Sequence, residues 1–170
     1  MLASGSLGRE IDLEELSSDI DGSKYESDFA GLIIQTPHQA TILLFSSGKF
    51  SITGSKCKED IDKANTFLLS EMEKLGISVE AKDPIVQNIV CTGDINTNLN
   101  LSHLAVSLGM SNIEYEPEQH PFLIYRPPSN DCVLTIATTG KAVITGLKSK
   151  EQAEKIFAEF RDTVSKLYEK

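Results

Sequence analysis

The sequence predicts an α+β fold made of two tandem repeats. Residues 41–56 and 133–148 are nearly the same segment, and their identical positions lie 92 residues apart: Gly48 and Gly140, Lys49 and Lys141, Thr53 and Thr145, Gly54 and Gly146. A direct repeat in only two copies is not a solenoid array and indicates two related halves about a pseudo-twofold axis. Each half reads as a short helix, antiparallel strands and a long helix, an order that places the helices on one face of the sheet.

The repeat covers most of the chain. Further matching segments are 12–16 with 100–104, 25–29 with 115–120, and 58–60 with 150–152. These matches predict a first repeat over residues 1–82 and a second over residues 83–170.

Helical periodicity predicts the helices. The apolar stripes are Leu13, Leu16 and Ile20 in the first short helix, Ile61, Ala64, Leu68, Met72 and Leu75 in the first long helix, and Ala153, Ile156, Phe157, Phe160, Val164 and Leu167 in the last helix. Gly22 and Gly76 are expected to end the first two helices. Ser149 and Gln152 predict a capping box at the start of the last one.

The strands are predicted from apolar runs and alternation. Residues 29–34 and 40–45 are rich in Ile and Leu, and residues 49–54 alternate, which is typical of a strand with two different faces. Gly48 and Gly140 predict tight hairpin turns with a positive φ. The sheet face opposite the helices is then left bare, and a bare apolar face indicates a binding surface.

The composition is acidic. The chain has 170 residues, 16 Lys and Arg against 25 Asp and Glu, a formal charge of -9, and a hydrophobic fraction of 40%, enough for a core. This balance argues against nucleic-acid binding through general positive charge, although a local basic face remains compatible with it.

The three cysteines, Cys57, Cys91 and Cys132, form no CxxC pair, which predicts a reduced, intracellular protein without a zinc site. The N-terminus lacks the charged and apolar regions of a secretory signal. No apolar run is long enough to cross a membrane, so we expect a cytoplasmic protein with no membrane partner.

No catalytic constellation is recognisable. The histidines His38, His103 and His120 have no ligand spacing, and Gly140-Lys141 lacks the earlier glycine of a phosphate-binding loop. There is no nucleophile elbow and no convincing Cys/His pairing. The sequence therefore predicts no enzyme, no cofactor and no small-molecule substrate.

One group of motifs resembles a known family. Residues 115–126 read Tyr-Glu-Pro-Glu-Gln-His-Pro-Phe-Leu-Ile-Tyr-Arg, and both halves carry a Ser/Thr-Gly-Lys hairpin and a Thr-Gly-x-Lys strand end. Together they resemble the TATA-box-binding proteins of archaea and eukaryotes, over essentially the whole chain. We identify the chain as a divergent, archaeal-type paralogue of that family.

The resemblance implies a fold and a function. The fold would be a saddle, with a curved antiparallel sheet underneath and four helices on the convex face. The concave face would take the minor groove of A·T-rich promoter DNA in transcription initiation, with the family's bend of about 80°. In an archaeon such a protein would be associated with the nucleoid.

The resemblance assigns aromatic wedges that insert between base steps. In the first half these are Phe29 and Phe45; from residue type alone, both would be expected in the core. In the second half the corresponding positions hold His120 and Ala137. Phe122, where the family has glycine, is a partial substitute.

The resemblance also assigns groove-facing and phosphate-facing residues. Asn88 would read base edges, and its counterpart would lie just upstream of Met1. Positions on groove-facing strands are Leu2, Ser51, Thr53, Val90, Val143 and Thr145, which are otherwise ordinary strand residues. Basic positions of the family match Lys49, Lys141 and Arg126, while Gln35, Gln39 and Asp131 stand where basic residues are common, which thins the phosphate contacts.

The loop that docks transcription factor B in this family matches Glu116 and Glu118, and Tyr115 is expected to pack against the sheet.

Two functions follow. The first is a promoter-binding factor that bends DNA, less strongly at its second half, and recruits transcription factor B. The alternative is a paralogue impaired in DNA binding that binds or sequesters transcription factor B; the acidic balance, Ala137 and Asp131 favour it.

Overall fold

The chain folds into two compact units. The computed structural model describes residues 1–26, 28–128 and 131–168. Unit 1 is Met1–Gln87 and unit 2 is Asn88–Lys170. Ser27, within the repeated segment 25–29, lies outside the described residues.

Unit 1 pairs its strands in the antiparallel order β2-β3-β4-β5-β1. Its elements are β1 (Leu2–Ser6), α1 (Leu13–Asp19), β2 (Ser23–Tyr25), β3 (Gly31–Gln35), β4 (Thr41–Phe45), β5 (Lys49–Thr53) and α2 (Lys58–Lys74).

Unit 2 repeats this plan, and its strands follow the equivalent antiparallel order β7-β8-β9-β10-β6. Its elements are β6 (Lys82–Asp94, whose first residues belong to unit 1), α3 (Leu101–Leu108), a 3₁₀ turn (Met110–Asn112), β7 (Ile113–Glu114), β8 (Phe122–Tyr125), β9 (Val133–Ala137), β10 (Lys141–Leu147) and α4 (Lys150–Tyr168).

Alternation along the strands separates a core face from a second face. In unit 1 the side chains buried beneath α1 and α2 include Leu32, Ile34, Ile42, Leu44, Phe50 and Ile52. In unit 2 the buried strand residues beneath α3 and α4 include Leu123, Leu134, Ile136, Ala142, Ile144 and Leu147. The predicted α+β class, with tandem repeats and helices on one face of antiparallel strands, is confirmed.

The predicted helix boundaries mostly hold. Gly76 follows α2 with φ 71°, whereas α1 already ends at Asp19 and Gly22 lies in the turn beyond it. At the start of α4 the Ser149 hydroxyl accepts from the Gln152 amide at 3.1 Å. The Gln152 side chain in turn accepts from the amide of Lys148, one residue before the cap, at 3.0 Å.

Both hairpin glycines are required by close backbone contact as well as by conformation. Gly48 has φ 73° and Gly140 has φ 85°. A Cβ on Gly48 would lie 1.9 Å from the Arg9 carbonyl oxygen, and one on Gly140 would lie 2.4 Å from the Thr97 carbonyl oxygen. The segment that follows β1 therefore packs directly on the β4–β5 hairpin, and the segment after β6 does the same on the β9–β10 hairpin.

We predict that Gly48→Ala destabilises the protein much more than Gly76→Ala. Both glycines have a positive φ, but a Cβ on Gly76 meets nothing within 4 Å. Gly76→Ala should cost about 1–2 kcal/mol for the left-handed conformation alone. Gly48→Ala should cost about 2 kcal/mol more, since the hairpin must move away from Arg9. Urea unfolding measures the free energy of unfolding of both variants. Equal losses of stability would contradict the close contact between Gly48 and Arg9.

Candidate nucleic-acid interface

Each unit leaves one strand face uncovered by its helices, and we call this the open face. Cross-strand pairing assigns its members, because directly opposed residues point to the same side. The open face of unit 1 carries Leu2, Ser4 and Ser6 of β1, Lys49, Ser51 and Thr53 of β5, Thr41, Leu43 and Phe45 of β4, and Gly31, Ile33 and Gln35 of β3. The open face of unit 2 carries Val90, Thr92, Asp94, Lys141, Val143, Thr145, Val133, Thr135, Ala137, Phe122 and Ile124.

Two phenylalanine rings lie together on the open face of unit 1. Phe45 projects from β4 and Phe29 lies just before β3, with ring centroids 5.9 Å apart and planes tilted by 57°. Both side chains are half-buried, unlike Phe50, which is 1% exposed in the core. They are therefore surface residues rather than core residues.

A glycine beneath the rings makes this arrangement possible. Gly31 lies directly opposite Phe45 on the neighbouring strand. A Cβ on Gly31 would lie 2.8 Å from the Phe29 ring and 3.2 Å from the Phe45 ring. The two rings thus occupy the space that a side chain at residue 31 would need.

Within residues 88–128 and 131–168 of unit 2, the structure shows no such pair of phenylalanine rings. Phe122 lies opposite Ala137 on the open face and is 43% exposed. His120 is half-buried, and its Nδ1 donates to the carbonyl oxygen of Phe122 at 3.1 Å. One aromatic ring therefore stands where unit 1 has two.

Asn88 is held by a strand irregularity. The pairing of β10 with β6 shifts register between Ile144 and Leu147, and Gly146 in this bulge has φ 85°. The Gly146 amide donates to Oδ1 of Asn88 at 3.0 Å. Because a backbone N–H can only donate, the Asn88 amide must turn its oxygen to the bulge, and its NH₂ group is left for other acceptors.

The remaining residues assigned to the groove also lie on open faces. Leu2 and Val90 are exposed, and Val90 reaches 51%. Ser51, Thr53 and Thr145 are half-buried, and Val143 is exposed. Together they form surfaces of aliphatic and hydroxyl groups.

The basic residues are exposed, but those of unit 2 have acidic neighbours. Lys49 lies opposite Ser6, whereas Lys141 lies opposite Asp94. Arg126 and Glu114 form an ion pair at 3.5 Å, with both side chains at least half exposed. Exposed pairs contribute little stability but lower the local positive charge.

The three polar or acidic replacements lie at strand ends and turns. Gln35 is exposed at the end of β3, and Gln39 occupies the β3–β4 turn with φ 66°. Asp131 is exposed just before β9, and its carbonyl oxygen would lie 2.7 Å from a Cβ on Gly146.

The acidic loop between β7 and β8 is exposed. Glu116 and Glu118 are both exposed, while Tyr115 is half-buried. The loop is folded into a turn, in which the amides of Gln119 and His120 donate to the Glu116 carbonyl at 2.9 and 3.0 Å. The Gln119 side chain also donates to the Glu116 carboxylate.

Sequence reasoning missed several open-face residues. These are Ile33, Leu43, Thr92, Ile124, Val133 and Thr135. Period-two alternation, counted outward from Phe45, Val143 and Phe122, would have found them. The role of Gly31 beneath the rings had no local signal, since it depends on a cross-strand contact.

Within residues 1–26, 28–128 and 131–168, no three His, Cys, Asp or Glu side chains are grouped so that they could hold a metal ion. In that same part of the chain, no helix is long and apolar enough to cross a membrane.

The chain is therefore a two-repeat α+β protein in which each unit carries an open strand face of aromatic, aliphatic and hydroxyl side chains. Comparison with known proteins identifies the family. The family profile described as transcription factor TFIID, or TATA-binding protein, matches residues 1–75 and 83–167. The chain belongs to the TATA-binding protein family, as its motifs predicted.

Several similar proteins come from archaea. TATA-box-binding protein B of Halobacterium salinarum is 40% identical over 171 residues, covering 98% of this chain and 91% of that protein. The TATA-box-binding protein of Archaeoglobus fulgidus is 42% identical over 158 residues, covering 91% and 86%. The solved structure of Methanococcus jannaschii TBP matches with a TM-score of 0.83 at 36% identity, covering 97% and 95% of the two chains. The chain is a divergent member with the fold of its family.

We predict that Phe45→Ala leaves the fold nearly as stable as the unaltered protein, whereas Phe50→Ala does not. Phe45 is a half-buried surface ring, so its loss should cost about 1 kcal/mol. Phe50 is fully buried beneath the helices, so its loss should cost about 3–5 kcal/mol. Urea unfolding of both variants compares them. A loss at Phe45 as large as that at Phe50 would assign Phe45 to the core.

Proposed function

We propose that the chain is a TATA-binding transcription initiation factor whose units each take half of an A·T-rich promoter site in the minor groove. The main support is the aromatic pair Phe29 and Phe45 on the open face of unit 1. Two large apolar rings at a surface are unfavourable in water unless they have a partner. Insertion of the rings between base steps would remove them from water and kink the duplex.

The chemistry of the open faces suits A·T base pairs. In the minor groove these pairs offer only the acceptors adenine N3 and thymine O2, whereas G·C adds an amino group. Aliphatic side chains such as Val90 and Val143 contact such a groove without requiring donors from it. The NH₂ group of Asn88, whose oxygen is engaged by Gly146, is a donor for those acceptors.

The electrostatic contribution should be modest. The cations assigned to phosphates are Lys49, Lys141 and Arg126. Arg126 already forms an ion pair with Glu114. Three phosphate contacts give a slope of about -2.7 in log affinity against log salt, or about a 40-fold loss between 50 and 200 mM. Binding would therefore depend more on apolar contact and on DNA deformation than on charge.

We further propose that the β7–β8 loop recruits transcription factor B. Glu116 and Glu118 are exposed there on a loop held by backbone hydrogen bonds. A preformed acidic loop is complementary to a basic surface, and such complementarity favours encounter and selects the partner. The aromatic pair of unit 1 favours this promoter-bound role over the alternative in which the chain only captures transcription factor B.

We predict that Phe45→Ala weakens binding to an A·T-rich promoter duplex about 5- to 150-fold, the range for loss of one base-stacking aromatic ring. The bend, measured by energy transfer between dyes at the two duplex ends, should decrease as well. Phe67→Ala is the matched control, because Phe67 is also a half-buried phenylalanine but lies on helix α2.

Two outcomes would contradict the proposal. One is an unaltered chain that binds no promoter duplex at any salt concentration, with or without transcription factor B. The other is a Phe45→Ala variant that binds and bends the duplex as well as Phe67→Ala does.

We predict that Glu116→Lys with Glu118→Lys lowers capture of transcription factor B about 10-fold or more, because two attractive charges become repulsive. Binding of DNA alone should not decrease. Asp162→Lys, a charge reversal at an exposed residue of α4, is the control and should leave capture unchanged. Capture assays on preformed DNA complexes measure both, and full capture by the double variant would exclude this loop as the docking site.

A further inference from the structure

The two units hold the same cross-strand pair with its members exchanged. In unit 1 Gly31 of β3 lies opposite Phe45 of β4. In unit 2 Phe122 of β8 lies opposite Ala137 of β9. Each pair occupies the same place in the strand order of its unit, but the ring lies on β4 in unit 1 and on β8, the equivalent of β3, in unit 2.

The residues at these three positions depend on one another because they share one space. A side chain at Gly31 would collide with the rings of Phe29 and Phe45. In unit 2 those two ring positions hold His120 and Ala137, so residue 122 can carry a ring. Phe122 thus carries a ring on the open face at β8, the strand equivalent to β3.

The ring is presented at a defined position. Phe122 lies within paired strand β8, and the His120 Nδ1 hydrogen bond to its carbonyl oxygen ties the preceding loop to the same residue. With 43% of its surface exposed, the side chain is available to a partner. Nothing comparable stands at Ala137, where the methyl group is too small to separate stacked bases.

Charge follows the same asymmetry. On the open face of unit 1 Lys49 lies opposite a serine, whereas in unit 2 Lys141 lies opposite Asp94 and Arg126 is paired with Glu114. Unit 1 therefore offers two phenylalanine rings and a lysine opposite a serine. Unit 2 offers one phenylalanine ring, a lysine opposite an aspartate and an arginine in an ion pair.

We propose that unit 2 inserts a single aromatic wedge, Phe122, and that the unequal wedges fix the direction in which the chain binds its DNA site. This inference rests on the proposed function. Two rings open a base step more than one ring does, so unit 1 demands the more deformable step. Pyrimidine–purine steps such as TA are the easily kinked ones, and A-tract steps are stiff. On a site with a TA step at one end and a stiff step at the other, unit 1 takes the TA end.

The first test removes the proposed wedge. Phe122→Ala should weaken promoter binding about fivefold or more and reduce the bend, with the fold retained because the side chain is exposed. Val106→Ala, at a side chain 71% exposed on α3, is the matched control. Binding and bending equal to those of the control would overturn the assignment of Phe122.

The second test reads the direction of binding. A dye on Cys57, the exposed thiol at the start of α2, reports by energy transfer which duplex end lies near unit 1. Cys132 is buried and out of reach of the dye, and the half-buried Cys91 is replaced by Cys91→Ala in this measurement, so that the dye reacts at Cys57. The duplex has one TA end and one A-tract end. We expect complexes with unit 1 at the TA end to outnumber those with unit 1 at the A-tract end by about fivefold or more.

A variant that carries the aromatic residues of unit 1 in unit 2 tests whether the unequal wedges set the direction of binding. His120→Phe, Phe122→Gly and Ala137→Phe together should bring the two orientations toward equal population and increase the bend. Equal populations in the unaltered chain would overturn the directional proposal while leaving DNA binding intact. Failure of the unaltered chain to bind the duplex at all would overturn the proposed function and this inference with it.

Discussion

The cross-strand register of the antiparallel strands determines which side chains are buried beneath the helices and which lie on the open faces. Because side chains alternate along each strand, the register divides every strand into residues that pack beneath helices and residues that face away from them. Leu44 and Phe45 are neighbours in sequence, yet one is fully buried and the other lies on the open face. A slip of one residue would exchange these roles along the whole strand.

Much of this organisation could be predicted from local sequence patterns. The repeat, the helical stripes and the hairpin glycines are local signals, and the structure confirms them at Gly48, Gly140 and the buried faces of α2 and α4. The assignment of Phe29 and Phe45 to the surface came from resemblance to a family. Residue type alone favoured the core, since phenylalanine is more often buried than exposed.

The remaining features depend on partners distant in sequence. Residue 31 must be a glycine because two rings occupy the space that a side chain would need. This requirement becomes visible only when β3 is aligned with β4. Asn88 is oriented by Gly146, 58 residues away, through a strand bulge that no local pattern indicates. The position of Phe122 opposite Ala137 likewise follows from register. Such contacts join segments whose pairing is set by the whole fold, so local pattern cannot supply them.

The acidic composition is compatible with a nucleic-acid partner once the charges are located. A net charge of -9 belongs to the whole chain. The open faces are mainly aliphatic, aromatic and hydroxyl surfaces with a few cations, which suits a groove read by shape and deformability rather than by strong electrostatic attraction.

We propose that aromatic side chains of an open face separate stacked bases. Fluorescence of 2-aminopurine placed at the outermost step of an A·T-rich duplex measures this directly, because the base brightens when its neighbour no longer stacks on it. We expect a rise in fluorescence on binding that follows the binding curve. A duplex that is bound with no change in fluorescence at either end would contradict it.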